Sequence, residues 1–415
     1  MKKIIAISVM FALIAGAVFA DTSIGGSVET RFSLARQMGE DGDDPTMGGS
    51  IGAAQIELSG SNAEGTLGGL FRLRNTDIVR TTLPWDDSTW SGPWFHRAFV
   101  WWKPVEQVKI FLGIDNDGLF DTCDFTGWAF HAGDNDYLFN HHWDFWRQVF
   151  PGNWDGFGLA FSFYPIPGLD INLALPTGGV NWPQASDSQV GASRPISNPD
   201  SDHPIGMLPG RLRFVANYSL DFGKISLVYI GGAAAAEKDV PDHIGVITKD
   251  NNGLFGLNAL ITAIEGIQIK VGGSVVLNGK ESGQDVDMLI NAGLGVAWAG
   301  DGFGVKFRAA LVTLGDSGMF ITGNIMPYFA VGEKGQVLVD IGVTNDGFGP
   351  KKDDAKLGWY VTPAYRLGIE GGAFKIGLQL FNNISAGDGG SKGNISISGD
   401  EYVKWNIPMS LSFNF

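Results

Sequence analysis

Basic side chains recur at every second position in several stretches of this sequence, and they are its most regular chemical feature. Because successive residues of a β-strand point to opposite faces of a sheet, such spacing collects the charges on one face. Rows of lysine and arginine on a watery surface attract anions, or they simply hydrate the surface and pair with acidic loops. One acid is clearly placed among them, and the residues expected on this face are Arg72, Arg74, Lys109, Arg211, Arg213, Lys270, Lys306, Arg308, Asp340 and Lys375.

Tryptophan is concentrated in one region, since ten of the 13 tryptophans lie between Trp85 and Trp182. Flat apolar rings stack on sugar faces, and neighbouring carboxylates accept hydrogen bonds from sugar hydroxyl groups. This region is therefore a candidate for solute binding. The alternative is a small aromatic core that holds the surrounding loops closed, and the sequence favours this alternative. The candidate solute-binding residues are Trp128, His141, His142, Trp143 and Trp146.

Metal and enzyme chemistry have weaker support in the sequence. Two acidic clusters, 40–44 and 115–124, offer hard oxygen ligands for calcium. The second lacks the spacing of an EF-hand loop, so solvated acidic loops are favoured and we expect no metal and no cofactor. Two stretches, 48–52 and 389–393, fit the pattern G-x-S-x-G. That motif presents a nucleophilic serine only at a sharp turn between a strand and a helix. Because no helix is predicted after either stretch, we do not expect this protein to be an enzyme.

The elements that must position these side chains are β-strands of about ten residues, the length that a tilted strand needs to cross a bilayer. The last eleven residues show the pattern best, because every second residue from Trp405 to Phe415 is apolar. Short turns rich in Gly, Pro and Asp alternate with longer polar connections, which include 115–156, 176–209 and 279–287. This order predicts an all-β, antiparallel up-and-down barrel of about 18 strands (about 16–18), with both chain ends on the short-turn side.

The composition and the first residues predict export to a membrane. Lys2 and Lys3 precede an apolar run, and small residues before Asp21 complete a signal of the secretory type. The 60 glycines disfavour a helical protein, because glycine weakens helix interiors. A net charge of −15 without any basic run makes nucleic acid an unexpected partner. We therefore predict a cleaved signal peptide at 1–20 and a single transmembrane β-barrel domain at 21–415.

The C-terminal pattern of Met409, Leu411, Phe413 and Phe415 resembles the signal by which outer-membrane barrels are recognised for insertion. With the secretory signal, the chain is similar to the bacterial porin class, and its residues 21–29 loosely resemble spirochaete outer-membrane proteins. The strand count is similar to that of maltoporin-like sugar porins, by analogy alone. The resemblance implies a location in the bacterial outer membrane, contact with its lipid and with the barrel-insertion machinery, short periplasmic turns, long extracellular loops, and a homo-oligomer such as a trimer.

These observations together predict a porin that lets small hydrophilic solutes diffuse passively and is narrowed by the connections 115–156 and 176–209. Its basic face is open to two interpretations, a preference for anions or a face that only hydrates the lumen and pairs with acidic loops. A sugar-selective porin is the first alternative, and the tryptophan-rich region would then line its path. A surface adhesin or structural barrel without an open pore is the second alternative, because long acidic loops also suit the binding of a partner.

Overall fold

The computed structural model describes thirteen parts of the chain, and almost all of their residues lie in β-strands. No helix long and apolar enough to cross a membrane occurs among them. The described residues are 21–37, 46–76, 81–82, 94–115, 128, 156–178, 212–231, 246–247, 253–281, 284–313, 319–345, 357–382 and 403–415.

The strands form one continuous antiparallel sheet of 21 segments. Their bounds are β1 Asp21–Gln37, β2 Thr46–Ser61, β3 Leu67–Thr76, β4 Thr81–Thr82, β5 Trp94–Val105, β6 Val108–Asp115, β7 Gly156–Ile166, β8 Leu169–Gly178, β9 Arg213–Leu220, β10 Gly223–Gly231, β11 Val246–Ile247, β12 Gly253–Ile261, β13 Ile267–Glu281, β14 Gln284–Ala299, β15 Phe303–Thr313, β16 Met319–Val331, β17 Gly335–Asn345, β18 Leu357–Ile369, β19 Gly372–Gly377, β20 Gln379–Asn382 and β21 Val403–Asn414.

Eighteen strands result when the interrupted ones are joined. The short segment β4 pairs with β2 beyond the end of β3, and β11 pairs with β13 in the same way beyond β12. Leu378 alone separates β19 from β20, and both segments pair with β18 and β21. The predicted count of about 18 strands is therefore confirmed.

The sheet closes on itself because β1 pairs with β2 on one side and with β21 on the other. Gly26 and Phe415 exchange two main-chain hydrogen bonds of 2.9 and 3.0 Å at the seam. A closed barrel leaves no strand edge unpaired, which a bilayer requires since each unpaired backbone group in hydrocarbon costs several kcal/mol. The predicted antiparallel barrel is confirmed.

The outer face of the barrel is apolar. Leu227 and Leu257, for example, are 50% and 58% exposed there, and many other large apolar side chains are similarly exposed. In water, so large an exposed apolar surface would cause association with other apolar surfaces. Aromatic rings gather near the short turns, where Phe303 contacts both Trp298 and Phe329 with ring centroids 5.4 and 4.6 Å apart. An apolar band with aromatic residues near its rim is the surface that a barrel presents to lipid.

Eight short turns join successive strands at one end of the barrel, the end that also holds Asp21 and Phe415. Gly168 illustrates their chemistry: its φ of +80° is a conformation that only glycine adopts readily. One predicted long connection, 279–287, is wrong. Glu281 pairs with Gln284, because β13 and β14 extend beyond the apolar stretch that marked them in the sequence. The predicted signal peptide at 1–20 lies outside the described residues.

Candidate functional site

The inner face of the barrel carries small polar side chains. They alternate along each strand with the apolar residues of the outer face, so the period-two pattern of the sequence becomes a wall with one watery side. Buried polar residues of this wall are Ser33, Ser162, Asn172, Asn217, Ser226, Asn258, Ser274, Thr322, Asn324, Thr362, Gln379, Asn406 and Ser410.

The charged residues predicted for one face of the sheet lie on this inner face wherever their side chains are described. The eight residues in question are Arg72, Arg74, Lys109, Lys270, Lys306, Arg308, Asp340 and Lys375. Arg213 belongs to β9, but its side chain is not among the described ones. Arg211 lies outside the described residues. The barrel brings these eight charged residues to one surface. Their part in solute passage stays a prediction.

Arg72 forms an ion pair that the sequence prediction missed. Its Nε donates a hydrogen bond of 2.6 Å to Oε2 of Glu57, which lies directly opposite on β2. Arg97 is the register partner of Arg72 on the other side, so two arginines and one glutamate follow each other across three strands. Only the register between strands reveals that these three residues are neighbours. In the sequence, each of them is simply one polar residue in an alternating strand.

A second basic group crosses the closing seam of the barrel. Arg366 is paired in register with Lys375, Lys375 with Ser410, and Ser410 with Arg31. Glu29 accepts a hydrogen bond of 3.0 Å from Arg31, so one acid lies within this group. Sequence reasoning found Lys375 but missed Arg31 and Arg366, whose strands show weaker alternation around them.

Cations outnumber acids on the part of the inner wall that the structure describes. The cations just named and others on the same face exceed the described acids in number. This excess of positive charge gives the wall a positive potential. The described basic residues of the wall are Arg31, Arg72, Arg74, Arg97, Lys103, Lys109, Lys224, Lys270, Lys306, Arg308, Arg366, Lys375 and Lys404, and the described acids are Asp21, Glu29, Glu57, Asp170 and Asp340.

Trp128 lies inside the barrel, and it is the one described residue between β6 and β7. Its main-chain oxygen accepts a hydrogen bond of 3.1 Å from Nδ2 of Asn324 on β16. Nζ of Lys270 lies 5.1 Å from the centre of its ring. Because β16 is about half the circumference away from β6 and β7, Trp128 lies against the wall opposite the two strands that flank it in sequence. His141, His142, Trp143 and Trp146, the other predicted solute-binding residues, lie outside the described residues.

A hydrogen-bond network holds the position of Asn324 on that wall. Nε of Arg308 donates to Oδ1 of Asn324 at 2.5 Å, and Nδ2 of Asn324 donates to Oδ1 of Asp340 at 2.7 Å. The hydroxyl of Tyr360 lies 3.4 Å from the same carboxylate oxygen. These residues come from four neighbouring strands, so the anchor of Trp128 is part of a network within the wall itself.

Part of the inner wall is apolar, which the sequence analysis did not anticipate. Phe99 and Phe111 pack edge to face with ring centroids 5.8 Å apart, and small residues of neighbouring strands complete a buried cluster. The other members are Ala160, Ala174, Val215 and Val228. No group of three or more His, Cys, Asp or Glu residues that could hold a metal ion occurs within the described ranges. The acidic cluster at 40–44 lies outside those ranges, and of the cluster at 115–124 only the backbone of Asp115, at the end of β6, lies within them.

Comparison with known proteins gives a fold and no family. No family model matches the chain, and no curated protein matches it. Among solved structures it is similar to OccD3 (OpdP) of Pseudomonas aeruginosa, at 10% identity and a TM-score of 0.51 over 96% of this chain and 92% of that one. It is also similar to Pseudomonas aeruginosa OprD, at 10% identity and a TM-score of 0.51 over 96% of both chains. The similarity shows the fold, a closed antiparallel barrel of 18 strands, and the maltoporin subclass is not supported.

Proposed function

We propose that this protein is an outer-membrane porin through which small hydrophilic solutes diffuse passively, with a preference for anions. The observation that supports it most is the inner wall, where cations outnumber acids among the described side chains, in a barrel whose outside is apolar. A cationic lumen lowers the electrostatic barrier for anions and raises it for cations. Passive diffusion needs no further chemistry from the protein than this wall and a watery path.

The connection that carries Trp128 is proposed to narrow the path. Its contact with Asn324 and Lys270 supports this, since a chain that crosses to the opposite wall leaves less room for solutes. Solutes would then pass between this connection and the basic wall. His141, His142, Trp143 and Trp146 belong to the same connection in sequence, and we propose them as further residues along the path.

The location and assembly follow from the same proposal. An apolar outer face suits the lipid of a bacterial outer membrane, and export would use the signal at 1–20. Leu411 and Phe413 of β21, and Phe415 directly after it, are exposed by 47%, 49% and 62%, which suits recognition by the barrel-insertion machinery. We further propose a homo-oligomer, with a trimer as the first form to test.

The sugar-selective alternative receives no specific support from the described residues. Ring stacking requires an open aromatic face. Ammonium groups lie over the rings of Trp128 and Trp101, at 5.1 Å for Lys270 and 4.4 Å for Lys109, so these faces are already occupied. We therefore keep charge selection as the proposed basis of solute choice.

Channel function is tested by reconstituting refolded residues 21–415 into liposomes and planar bilayers. Stepwise currents, and swelling of liposomes in small uncharged and anionic solutes, are the expected results. A folded, heat-modifiable barrel that gives neither current steps nor swelling would overturn the proposal and favour an adhesive or structural role.

A further inference from the structure

A recess of about 800 Å³ opens in the inner wall near the short-turn end of the barrel. Its lining extends from Asp21 at the start of β1 to Asp170 at the start of β8, and it includes Lys109 and Trp101. The proposed passage of anions does not require such a recess. Its size falls within the range of small-molecule binding sites, about 300–1,000 Å³.

The indole ring of Trp101 holds two lysines at one side of this recess. Nζ of Lys109 lies 4.4 Å from the ring centre, and Nζ of Lys103, two residues further along the strand, lies 5.7 Å from it. A Cβ atom at Gly68, the register partner of Trp101, would collide with the ring, so the ring lies over this glycine. The wall therefore covers one face of the indole, and the two ammonium groups gather on the part that is turned away from Gly68.

These two lysines lack an acidic partner in the part of the chain that the structure describes. Neither forms an ion pair there, whereas Arg72 and Arg31 of the same wall contact Glu57 and Glu29. The two ammonium groups repel each other. An anion that accepts hydrogen bonds from both would cancel this repulsion.

The ammonium group of Lys109 keeps donors for such an anion. It lies 4.6 Å from the ring centre of Phe111 as well as above Trp101, and these two rings hold its position. An ammonium group has three N–H donors, and the rings take no acceptor position on a ligand. The remaining side of the group faces the recess that Lys109 lines. The ligand thus meets the cations and not the ring faces.

The number of charges favours a dianion. A phosphate monoester carries about −1.5 to −2 charges at pH 7 and presents three acceptor oxygens, while a carboxylate carries one charge. Lysine binds phosphate as a point charge, without the planar geometry that a carboxylate shares with arginine. Lys103 and Lys109 together therefore match a phosphate group better than a carboxylate.

The other side of the recess is polar and carries acceptors for hydroxyl groups. Oγ of Ser162 donates to Oδ1 of Asn172 at 2.6 Å, and Nδ2 of Asn172 donates to Oδ1 of Asp170 at 3.3 Å. An ionised carboxylate accepts several hydrogen bonds, so Asp170 can accept more than this one. Asp21 and the ring of Tyr164, with its phenolic hydroxyl, line the same space. These carboxylates repel the phosphate end of a ligand and attract its hydroxyl groups, which fixes its orientation.

We propose that this recess binds a small phosphate monoester with a hydroxylated remainder, of the size of a sugar phosphate. The phosphate group pairs with Lys103 and Lys109, and the hydroxyl groups donate to Asp170. The proposal rests on the proposed channel function, for which it names one class of anionic solute. It concerns equilibrium binding, so it fails or succeeds separately from conductance.

Calorimetric titration of the refolded barrel with glucose 6-phosphate tests the two halves of the ligand. Inorganic phosphate lacks the hydroxylated remainder, gluconate replaces the phosphate by a carboxylate, and glucose has no charge. We expect glucose 6-phosphate to bind about tenfold more tightly than phosphate or gluconate, and glucose to bind too weakly to measure. Affinity for glucose 6-phosphate no higher than for gluconate or for inorganic phosphate, or no binding at all, overturns the proposal.

Lysine variants then locate the phosphate. Lys103→Met and Lys109→Met are each expected to weaken glucose 6-phosphate about tenfold, while Lys109→Arg, which keeps the charge, weakens it much less. Lys334→Met, in the exposed turn after β16, removes one positive charge at the same end of the barrel and is the control, with unchanged affinity. If neither recess variant alters binding while both barrels stay heat-modifiable, the ligand binds elsewhere and the assignment is wrong, even when the channel conducts.

An acid variant locates the hydroxyl groups. Asp170→Ala removes a negative charge and an acceptor together, so inorganic phosphate is expected to bind more tightly. The advantage of glucose 6-phosphate over inorganic phosphate should shrink, because the acceptor for its hydroxyl groups is lost. An unchanged ratio of the two affinities would contradict the predicted orientation of the ligand.

Discussion

Asn324 donates a hydrogen bond of 3.1 Å to the main-chain oxygen of Trp128, which precedes it by 196 residues. This contact joins the connection after β6 to the wall on the other side of the lumen. The same amide donates to Asp340 at 2.7 Å, so one side chain links the connection to the charged network of the wall. The relationship explains how Trp128 is held against the inner wall. Asn324 binds its main-chain oxygen, and Arg308 and Asp340 hold Asn324 in place.

Loss of this anchor is expected to change the current through the channel. Asn324→Ala removes the donor to Trp128 and leaves buried polar groups of Arg308 and Asp340 with fewer partners, at a cost of about 1–3 kcal/mol. Larger or more variable single-channel currents should result, because the connection is held less firmly. Asn258→Ala removes the same group from the wall at a described site where neither amide atom makes a hydrogen bond, and it serves as the control. Identical current noise in the two variants would contradict the anchoring role.

The pair of Arg72 and Glu57 is expected to limit anion preference. Glu57→Gln removes the negative charge while keeping the shape, so the positive potential around Arg72 and Arg97 rises. The reversal potential in a salt gradient should shift further toward anions. The double variant Glu57→Gln with Arg72→Gln should return it toward the wild-type value. A shift of Glu57→Gln toward cations would contradict the place of this pair on the path.

Close packing of a tyrosine on a glycine predicts a position that tolerates no side chain. A Cβ atom at Gly342 would collide with the ring of Tyr360, whereas one at Gly368 meets its nearest atom, the main-chain oxygen of Lys334, at 3.6 Å. Gly342→Ala is expected to destabilise the barrel by about 1–3 kcal/mol through overpacking, and Gly368→Ala much less. Unfolding by denaturant in lipid vesicles measures both. Equal stability of the two variants would show that Tyr360 moves freely.

The seam of the barrel predicts a role for the last residue. A Cβ atom at Gly26 would meet the ring of Phe415, so this ring packs on the glycine beside the two main-chain hydrogen bonds. Phe415→Ala keeps those bonds but removes the ring, and we expect a smaller yield of heat-modifiable barrel in membranes. Ser412→Ala changes a residue of the same strand and is the control. A normal yield of the Phe415→Ala barrel would remove this residue from the insertion signal.

The fold was predictable from the sequence because strand alternation is a local property. Lys270 and Arg308 were placed on the inner face by the period-two pattern alone, and the order of short and long connections indicated the strand count. The contact of Trp128 with Asn324 was not predictable, since it depends on the closed shape of the barrel. Likewise, Glu57 is recognised as the partner of Arg72 only when the register of β2 and β3 is known.

The boundary error at 279–287 has a similar cause. The apolar alternation that marks β13 in the sequence ends at Leu277, while backbone pairing continues to Glu281 and Gln284. Hydrogen bonding between strands extends past their apolar residues. A search for alternating hydropathy does not detect these polar strand ends. The apolar patch around Phe99 was missed for a related reason: alternation assigns a face to each residue, but it does not reveal which inner-face residues meet each other.

The reversal potential of single channels in a tenfold KCl gradient tests the central claim most directly. The basic inner wall predicts a sign that indicates anion preference for residues 21–415. A variant in which Arg31, Arg366 and Lys375 are all changed to Gln should shift the potential toward cations, because three charges of one row are removed. Cation preference of the unchanged protein, or an unchanged potential in the triple variant, would contradict the account.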